Sequence, residues 1–411
     1  MARRSSMDRA ERQKFKLNAL LSITQAINDN LPPEDLLHKA EEVLRGDELN
    51  IGKVAIIMNN GGWEWILESG VHPEACRRIS LDDVLFPVKE ITSVSSSEDK
   101  NLKDFDTIIP IYNNNAPLAF ALIGDIDEEG DLVSPVIKHI HFIQTLLNIV
   151  VVAIDNIRLF ANSLRQEALK KELELASKMQ SMLIPDNDTL PQNHKIFVTG
   201  FYLPHLEVGG DYYDCMKLND DDYGFCIADV SGKGISAALL MANFQATLRA
   251  LFNFNISLEE LVIKLNDSII SSAHGEKFIT LFIAKYYGKT RVLEYVNAAH
   301  NPPVIFDSGK NKISLLQSDN VGIGMLDIMP SVKVRSLKLK GMSKLICYTD
   351  GLSELPDKNG VESGTNAIEK IIKNSDRVDT NINDLISSEE IVEENSRLFD
   401  DVSILGVQFY D

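Results

Sequence analysis

Apolar residues recur at helical spacing from Leu17 to about Asp29, and Pro32-Pro33 opens a second helix that ends near Arg45. From Val54 to Leu122 the pattern shortens to β-like runs: Val54-Ala55-Ile56-Ile57-Met58, Trp63-Glu64-Trp65-Ile66-Leu67, Thr107-Ile108-Ile109 and Pro117-Leu118-Ala119-Phe120-Ala121-Leu122. Polar turns such as Asn59-Asn60-Gly61-Gly62 divide them, which predicts a small antiparallel sheet. An acidic turn, Asp125 to Asp131, closes this unit. A helical pattern then runs from about Pro135 to Leu183 with no Gly or Pro after Pro135.

Within that helix Val150, Ile154, Ile157, Ala161, Leu164 and Ala168 alternate steps of four and three, the spacing of a coiled-coil seam. Lys171 takes the next seam position. The stripe resumes displaced, through Leu169, Leu173, Ala176, Met179 and Leu183, in the manner of a stutter. The expectation is a parallel homodimer through this helix; the alternative is one amphipathic helix packed on its own sheet.

After Pro185 strands are expected near Phe197–Tyr202, Tyr223–Asp229, Phe278–Tyr287, Val292–Asn297, Lys344–Tyr348 and Ser403–Phe409, with helices near Ser236–Phe252, Leu258–Ser272 and Asn366–Lys373. They come in blocks, not in strict alternation, so the class is α+β and not a doubly wound parallel sheet.

Composition narrows the partners. Over 411 residues the net charge is −19, which repels nucleic acid and anionic membrane and favours a protein partner. Residues 1–15 form a basic tail with no secretion signal behind it, and the densest apolar run, Ile149 to Ile154, falls far short of the roughly 20 residues a bilayer needs. Cys76, Cys215, Cys226 and Cys347 lack paired metal spacing and are expected as reduced thiols in a cytoplasmic protein.

Candidate chemistry lies in aspartates at predicted strand ends. Asp211 sits in Val208-Gly209-Gly210-Asp211-Tyr212-Tyr213-Asp214; Asp229 closes Phe225-Cys226-Ile227-Ala228 before the turn Val230-Ser231-Gly232-Lys233-Gly234; Asp350 follows Leu345-Ile346-Cys347-Tyr348; Asp400 and Asp401 precede Val402-Ser403-Ile404-Leu405. Any one of them alone fits a turn or helix cap better than a ligand. Taken together, carboxylates without imidazole or thiolate company select hard cations such as Mg²⁺ or Mn²⁺. Two such ions would carry phosphoryl-transfer chemistry to water. The glycine turn after Asp229 lacks the spacing of a nucleotide-binding loop. His300, in Asn297-Ala298-Ala299-His300-Asn301-Pro302-Pro303, is expected to be structural.

These motifs resemble the SpoIIE/RsbU branch of the PPM metal-dependent serine/threonine protein phosphatases. The likeness covers roughly Glu172 to Asp411. It rests on Ala176-Ser177-Lys178-Met179-Gln180-Ser181-Met182-Leu183-Ile184-Pro185, on the Asp211 and Asp229 motifs, and on Asn297 to Pro302, Tyr348 to Gly351 and Asp400 to Ser403. The resemblance implies an αββα sandwich with two Mn²⁺ or Mg²⁺ at one end. Asp211, Asp229, Asp350 and Asp400 become ligands, joined by the Val230 backbone carbonyl, with Asp401 in the neighbouring position. Three departures stand out. Ser231 occupies the place of a histidine proton donor in eukaryotic relatives, the phosphate-binding arginine has no counterpart, and Ala299 replaces a usual glycine.

The segment 16–157 is similar to a GAF sensory domain in its order of elements, with no cyclic-nucleotide signature and no readable ligand. The expected layout is therefore a tail (1–15), a GAF-like α/β sensor (16–157), a helical coiled-coil linker (158–184) and a PPM-type phosphatase domain (185–411). The implied function is a signal-regulated phosphatase of a phosphoserine or phosphothreonine regulatory protein of the anti-sigma-factor-antagonist type. The linker would then position the helices Ser236–Phe252 and Leu258–Ser272, with the switch near Lys171. The alternatives are a non-catalytic scaffold and a bimetal phosphatase of a small phosphoester.

Overall fold

The computed structural model describes residues 2–94, 100–113, 116–126, 135–356, 364–392 and 398–411. The acidic turn expected at Asp125 to Asp131 lies, from residue 127 on, outside the described residues. Two compact units emerge, Met1–Glu167 and Ala168–Asp411.

In the first unit, α1 (Ala2–Asn28) and α2 (Pro33–Arg45) precede a five-stranded sheet, and a short helix, α3 (Pro73–Arg77), follows its second strand. Its strands are β1 (Ile51–Asn59), β2 (Trp63–Ser69), β3 (Thr92–Ser93), β4 (Thr107–Asn113) and β5 (Ala116–Ile126), in the order β2-β1-β5-β4-β3 and antiparallel throughout. The period-two alternation of a strand sorts neighbours to opposite faces. Ile56, Ile109 and Ala121 join Ile23, Leu36 and Ala40 of the helices on one side; Ile57, Phe120 and Leu122 join Cys76, Leu85 and Phe105 on the other. Pro33 suits the first turn of α2, where no intrahelical N–H bond is lost.

Two expectations change here. Residues 2–15 are not a loose tail but the first turns of α1; no Gly or Pro interrupts that stretch. The long helix, α4 (Pro135–Ser181), spends the start of its seam inside the N-terminal unit, because Val150 and Ile154 belong to that unit's core together with Ile143, Leu146 and Leu147. Leu164, Leu169, Ala176 and Met179 are exposed, while Leu173 and Leu183 of the displaced stripe are half-buried. From His139 on, α4 is long and apolar enough to cross a bilayer, but half of that apolar window is buried within the protein, as a core helix requires.

The second unit is a sandwich of two five-stranded antiparallel sheets. One has the order β13-β10-β9-β8-β7, from β7 (Tyr212–Lys217), β8 (Asp222–Val230), β9 (Ile279–Tyr287), β10 (Val292–Ala298) and β13 (Arg335–Lys338). The other runs β12-β11-β14-β15-β6, from β6 (Ile196–Leu203), β11 (Val304–Asp307), β12 (Lys312–Leu315), β14 (Ser343–Tyr348) and β15 (Val402–Phe409). Their inner faces meet in one core containing Phe225, Phe282, Tyr286, Leu345, Cys347, Leu405 and Phe409.

Helices cover both outer faces. α5 (Ile235–Leu251) and α6 (Leu258–Ala273) bury Met241, Phe244, Leu261 and Leu265 on the first sheet. α8 (Asn366–Ile371) and α9 (Val378–Ser388) bury Ile368, Ile382 and Leu385 against Ile346, Tyr348 and Ile404 of the second. The start of α6 is set by Ser257, whose Oγ accepts the Glu260 amide at 3.1 Å. Each outer face also carries a buried lysine. Lys285 donates to the carbonyls of Asn253, Phe254 and Ile256, and Lys344 to the Asn374 carbonyl and the Asn381 side chain, which fastens the helical layers to the sheets. The expected αββα architecture and strand blocks of this half match the structure.

Candidate active site

The aspartates singled out in the sequence all lie where strands of the two sheets end. Asp211 immediately precedes β7, and Asp229 is the penultimate residue of β8. Asp350 opens the short helix α7 (Asp350–Ser353) just beyond β14, and Asp400 and Asp401 lead into β15. An apolar strand that stops at a carboxylate delivers that group to the sheet end, so four strands from two sheets contribute to one acidic cluster.

The carboxylates repel one another. Burial, then the charges of Asp350, Asp400 and Asp401, push the Asp229 carboxyl up to about 7. Asp211 is almost completely buried and is raised well above the usual carboxylate range, by burial first and then by Asp229 and Asp401. Asp350 is raised by burial and Asp400. One ammonium meets the cluster directly: Lys233 Nζ lies 3.0 Å from Asp400 Oδ2, and it also donates to the Phe399 carbonyl.

The geometry separates the two adjacent aspartates. Asp401 accepts the His205 amide on Oδ1 at 2.8 Å and the Gly210 amide on Oδ2 at 2.7 Å, so both oxygens hold the loop ahead of Asp211. Asp400 accepts the Asp401 amide at 2.9 Å and otherwise faces Lys233. The paired glycines are required by space. A Cβ on Gly209 would collide with the Asp401 carboxylate and the Tyr202 hydroxyl, and one on Gly210 would stand 2.9 Å from the Val230 carbonyl oxygen.

Among the described residues no three carboxylate, imidazole or thiolate groups stand close enough to form a ready-made cation cage. That is compatible with Mg²⁺ or Mn²⁺, which retain several waters and use only one or two carboxylates each. The donor set fits such ions: all hard oxygen, in net acidic excess, with the Asp229 carboxyl raised by burial and then by its carboxylate neighbours.

Other sequence candidates fall outside the cluster. His300 is buried, bonded through Nδ1 to Thr280 Oγ1 at 2.8 Å and lowered to about 4 by burial, so it is a neutral structural residue. Ser231 fastens its loop to Phe278, accepting the Phe278 amide on Oγ at 2.9 Å. Asp214 takes Arg249 Nε at 2.8 Å and the Tyr212 hydroxyl at 2.6 Å, tying β7 to the last turn of α5. Ala299 sits at φ 58°, which accounts for glycine being usual there.

Sequence reasoning missed three residues. Thr349 donates to Asp211 Oδ2 at 2.8 Å and accepts the Ser403 amide at 2.9 Å. Lys277 donates to the Ser231 carbonyl at 2.7 Å, beside the glycine turn. Gln180 bonds both backbone groups of Gly209. A hydroxyl directly before Asp350 was the available signal for Thr349, and Gln180 lies within the Ala176–Pro185 motif, though nothing there points to its partner; nothing local marks Lys277.

Residues 219–410 match the family model described as Stage II sporulation protein E (SpoIIE). This half of the chain carries a SpoIIE-family domain. The phosphoserine phosphatase RsbU of Bacillus subtilis is 26% identical over 195 residues, which are 47% of this chain and 57% of RsbU. Protein IcfG of Synechocystis is 26% identical over 277 residues, 61% of this chain and 43% of IcfG. The chain thus spans about half the length of these curated relatives. The SiaA-PP2C domain of Pseudomonas aeruginosa superposes with a TM-score of 0.50 at 18% identity, covering 60% of this chain and 98% of that domain. The SpoIIE-family domain therefore has a PP2C-like fold, as its two sheets and flanking helices indicate.

Proposed function

We propose that the SpoIIE-family domain is a metal-dependent protein serine/threonine phosphatase under the control of the N-terminal unit. The observation that carries this is the acidic cluster, drawn from four strand ends, in which burial and then the neighbouring carboxylates push Asp229 up to about 7. Such repulsion is costly unless a cation is bound there. Asp211, Asp229, Asp350 and Asp400 would hold two Mn²⁺ or Mg²⁺, with the Val230 carbonyl and Asp401 adjoining. When bound, these ions would supply positive charge for phosphoryl oxygens and acidify a water for in-line attack.

The chain's own residues prepare the site. Thr349 orients the Asp211 carboxylate, and Asp401 holds the loop before it. Lys233 and Lys277 flank the turn that follows Asp229 and provide cationic groups there. His300 is neutral and buried, and Ser231 is engaged with Phe278, so water serves as proton donor to the leaving group.

The likeness to RsbU, named a phosphoserine phosphatase, supports a phosphoserine or phosphothreonine protein as substrate, of the anti-sigma-factor-antagonist type. The net charge of −19 favours a protein over nucleic acid. The helix-flanked sheet of the first unit supports a GAF-like sensory role, and the exposed stripe of α4 beyond Ile157 supports dimerisation. The test is release of phosphate from a phosphoserine protein with and without Mn²⁺, comparing the full chain with a fragment beginning near Leu173. Phosphate release that ignores Mn²⁺ rejects the metal site, and equal rates for the two forms reject control by the N-terminal unit.

A further inference from the structure

We infer that Gln180, in the last turn of α4, is a positioning residue for the loop that presents Asp211, so that the acidic cluster depends on the seating of the helix end. This rests on the metal-site reading above. Gln180 is 8% exposed, unusual for a glutamine near the end of a helix whose neighbours Met179 and Met182 are 68% and 81% exposed. Its side-chain amide donates to the Gly209 carbonyl at 2.5 Å and accepts the Gly209 N–H at 3.0 Å. One planar group thus engages both sides of a single residue's backbone, as a strand partner would, and fixes its orientation.

The clamp is one stage in a chain of contacts. Gly209 lacks a Cβ where the Asp401 carboxylate and Tyr202 hydroxyl sit, and the next amide, Gly210, donates to Asp401 Oδ2 at 2.7 Å. Asp401 holds the other end of the loop through the His205 amide. Asp211 follows directly, its carboxylate fixed by Thr349. The loop 205–211 is therefore stitched on one side to Asp401 and on the other to α4. A shift of α4 by one turn, about 5.4 Å, would break both Gln180 bonds. Two buried backbone groups of Gly209 would then lose their partners, so the loop would have to rearrange.

Two variants separate positioning from general stability. Gln180→Met keeps the shape and removes both bonds; Gln180→Glu keeps an acceptor for the Gly209 N–H but sets a carboxylate oxygen against its carbonyl. In the full chain, Mn²⁺ binding is followed by calorimetry and by the Mn²⁺ concentration giving half-maximal phosphate release, with amide exchange at Gly209 and Gly210 measured on the metal-free protein. The expected result for both variants is a Mn²⁺ half-saturation raised roughly 10–100-fold, with turnover at saturating Mn²⁺ within about twofold of wild type. Faster exchange confined to Gly209 and Gly210 should accompany it. Folded variants with wild-type Mn²⁺ affinity and wild-type exchange overturn the inference while leaving the metal site intact. A lowered unfolding midpoint with unchanged Mn²⁺ affinity overturns it too, by making Gln180 merely structural. If the wild type itself binds no Mn²⁺, the metal-site reading fails, and this inference fails with it.

Discussion

Thr349 donates its hydroxyl to Asp211 Oδ2 at 2.8 Å, joining the residue just after β14 in one sheet to the residue just before β7 in the other. The Thr349 hydroxyl oxygen in turn accepts the Ser403 amide at 2.9 Å, so one side chain links three chain segments at the acidic cluster. Thr349→Val preserves shape and removes the hydroxyl. The Asp211 carboxylate and the Ser403 amide then lose a buried partner, which should lower unfolding free energy by about 1–3 kcal/mol. Mn²⁺ affinity should fall roughly 10–100-fold, as for removal of a group that orients a metal ligand. Urea unfolding and Mn²⁺ titration check the two effects separately; an unchanged Mn²⁺ affinity would remove Thr349 from the site.

His300 contributes to the acid sensitivity of the fold. Burial lowers it from the ordinary 6.5 to about 4 in the folded state, so in between the unfolded chain binds a proton that the folded chain does not. Stability from this group is complete above about 6.5 and is lost as pH falls toward about 4. The limiting slope is about 1.4 kcal/mol per pH unit. Unfolding free energies of wild type and His300→Gln, measured from pH 7 to 4, should converge as the pH drops. Parallel curves would show that His300 does not set this dependence.

Ala299 occupies left-handed backbone, φ 58°, while its amide donates to Ser318 Oγ at 2.9 Å. A Cβ in that conformation costs about 1–2 kcal/mol, partly offset by the greater unfolded-state freedom of glycine. Ala299→Gly should therefore raise stability by up to about 1 kcal/mol, with phosphate release unaffected. A loss of stability would mean that the methyl group makes packing contacts worth more than the strain.

The exposed apolar stripe of α4 bears on assembly. Leu164 is 51% exposed and Leu175 63% exposed, whereas the earlier seam residues Val150 and Ile154 are consumed by the N-terminal core. The dimer seam is therefore expected to begin after Ile157. Light scattering at micromolar concentration should give a dimer for the wild type and a monomer for Leu164→Glu combined with Leu175→Glu. A monomeric wild type would reject dimerisation through this helix.

What could be read from the sequence, and what could not, follows from the range of the interactions. Asp229 and Asp350 were legible because each ends an apolar strand beside a glycine turn or short helix, a signal contained in a few residues. The α+β class was legible from the blocks of strands and the sandwich through the family resemblance, although the short strands Lys312–Leu315 and Arg335–Lys338, half-buried or exposed, carry too little apolar pattern to announce themselves. Val150 shows why the seam was misplaced. A three-and-four spacing shows that a helix face is buried, not whether another copy or its own sheet buries it. Thr349 and Gln180 act through partners distant in sequence, Asp211 and Gly209, so only the folded chain shows them. The division of roles between Asp400 and Asp401 is likewise tertiary: the amides of His205 and Gly210 converge on Asp401.

The proposal that Asp229 is a metal ligand of a phosphatase is tested most directly by Asp229→Asn in the full chain, assayed for Mn²⁺-dependent release of phosphate from a phosphoserine protein. The amide removes one negative charge from a cluster where burial and then like charges push Asp229 up to about 7, so the fold should be retained. The predicted result is a folded protein with weakened Mn²⁺ binding and no measurable phosphate release. Wild-type release from that variant would contradict the account.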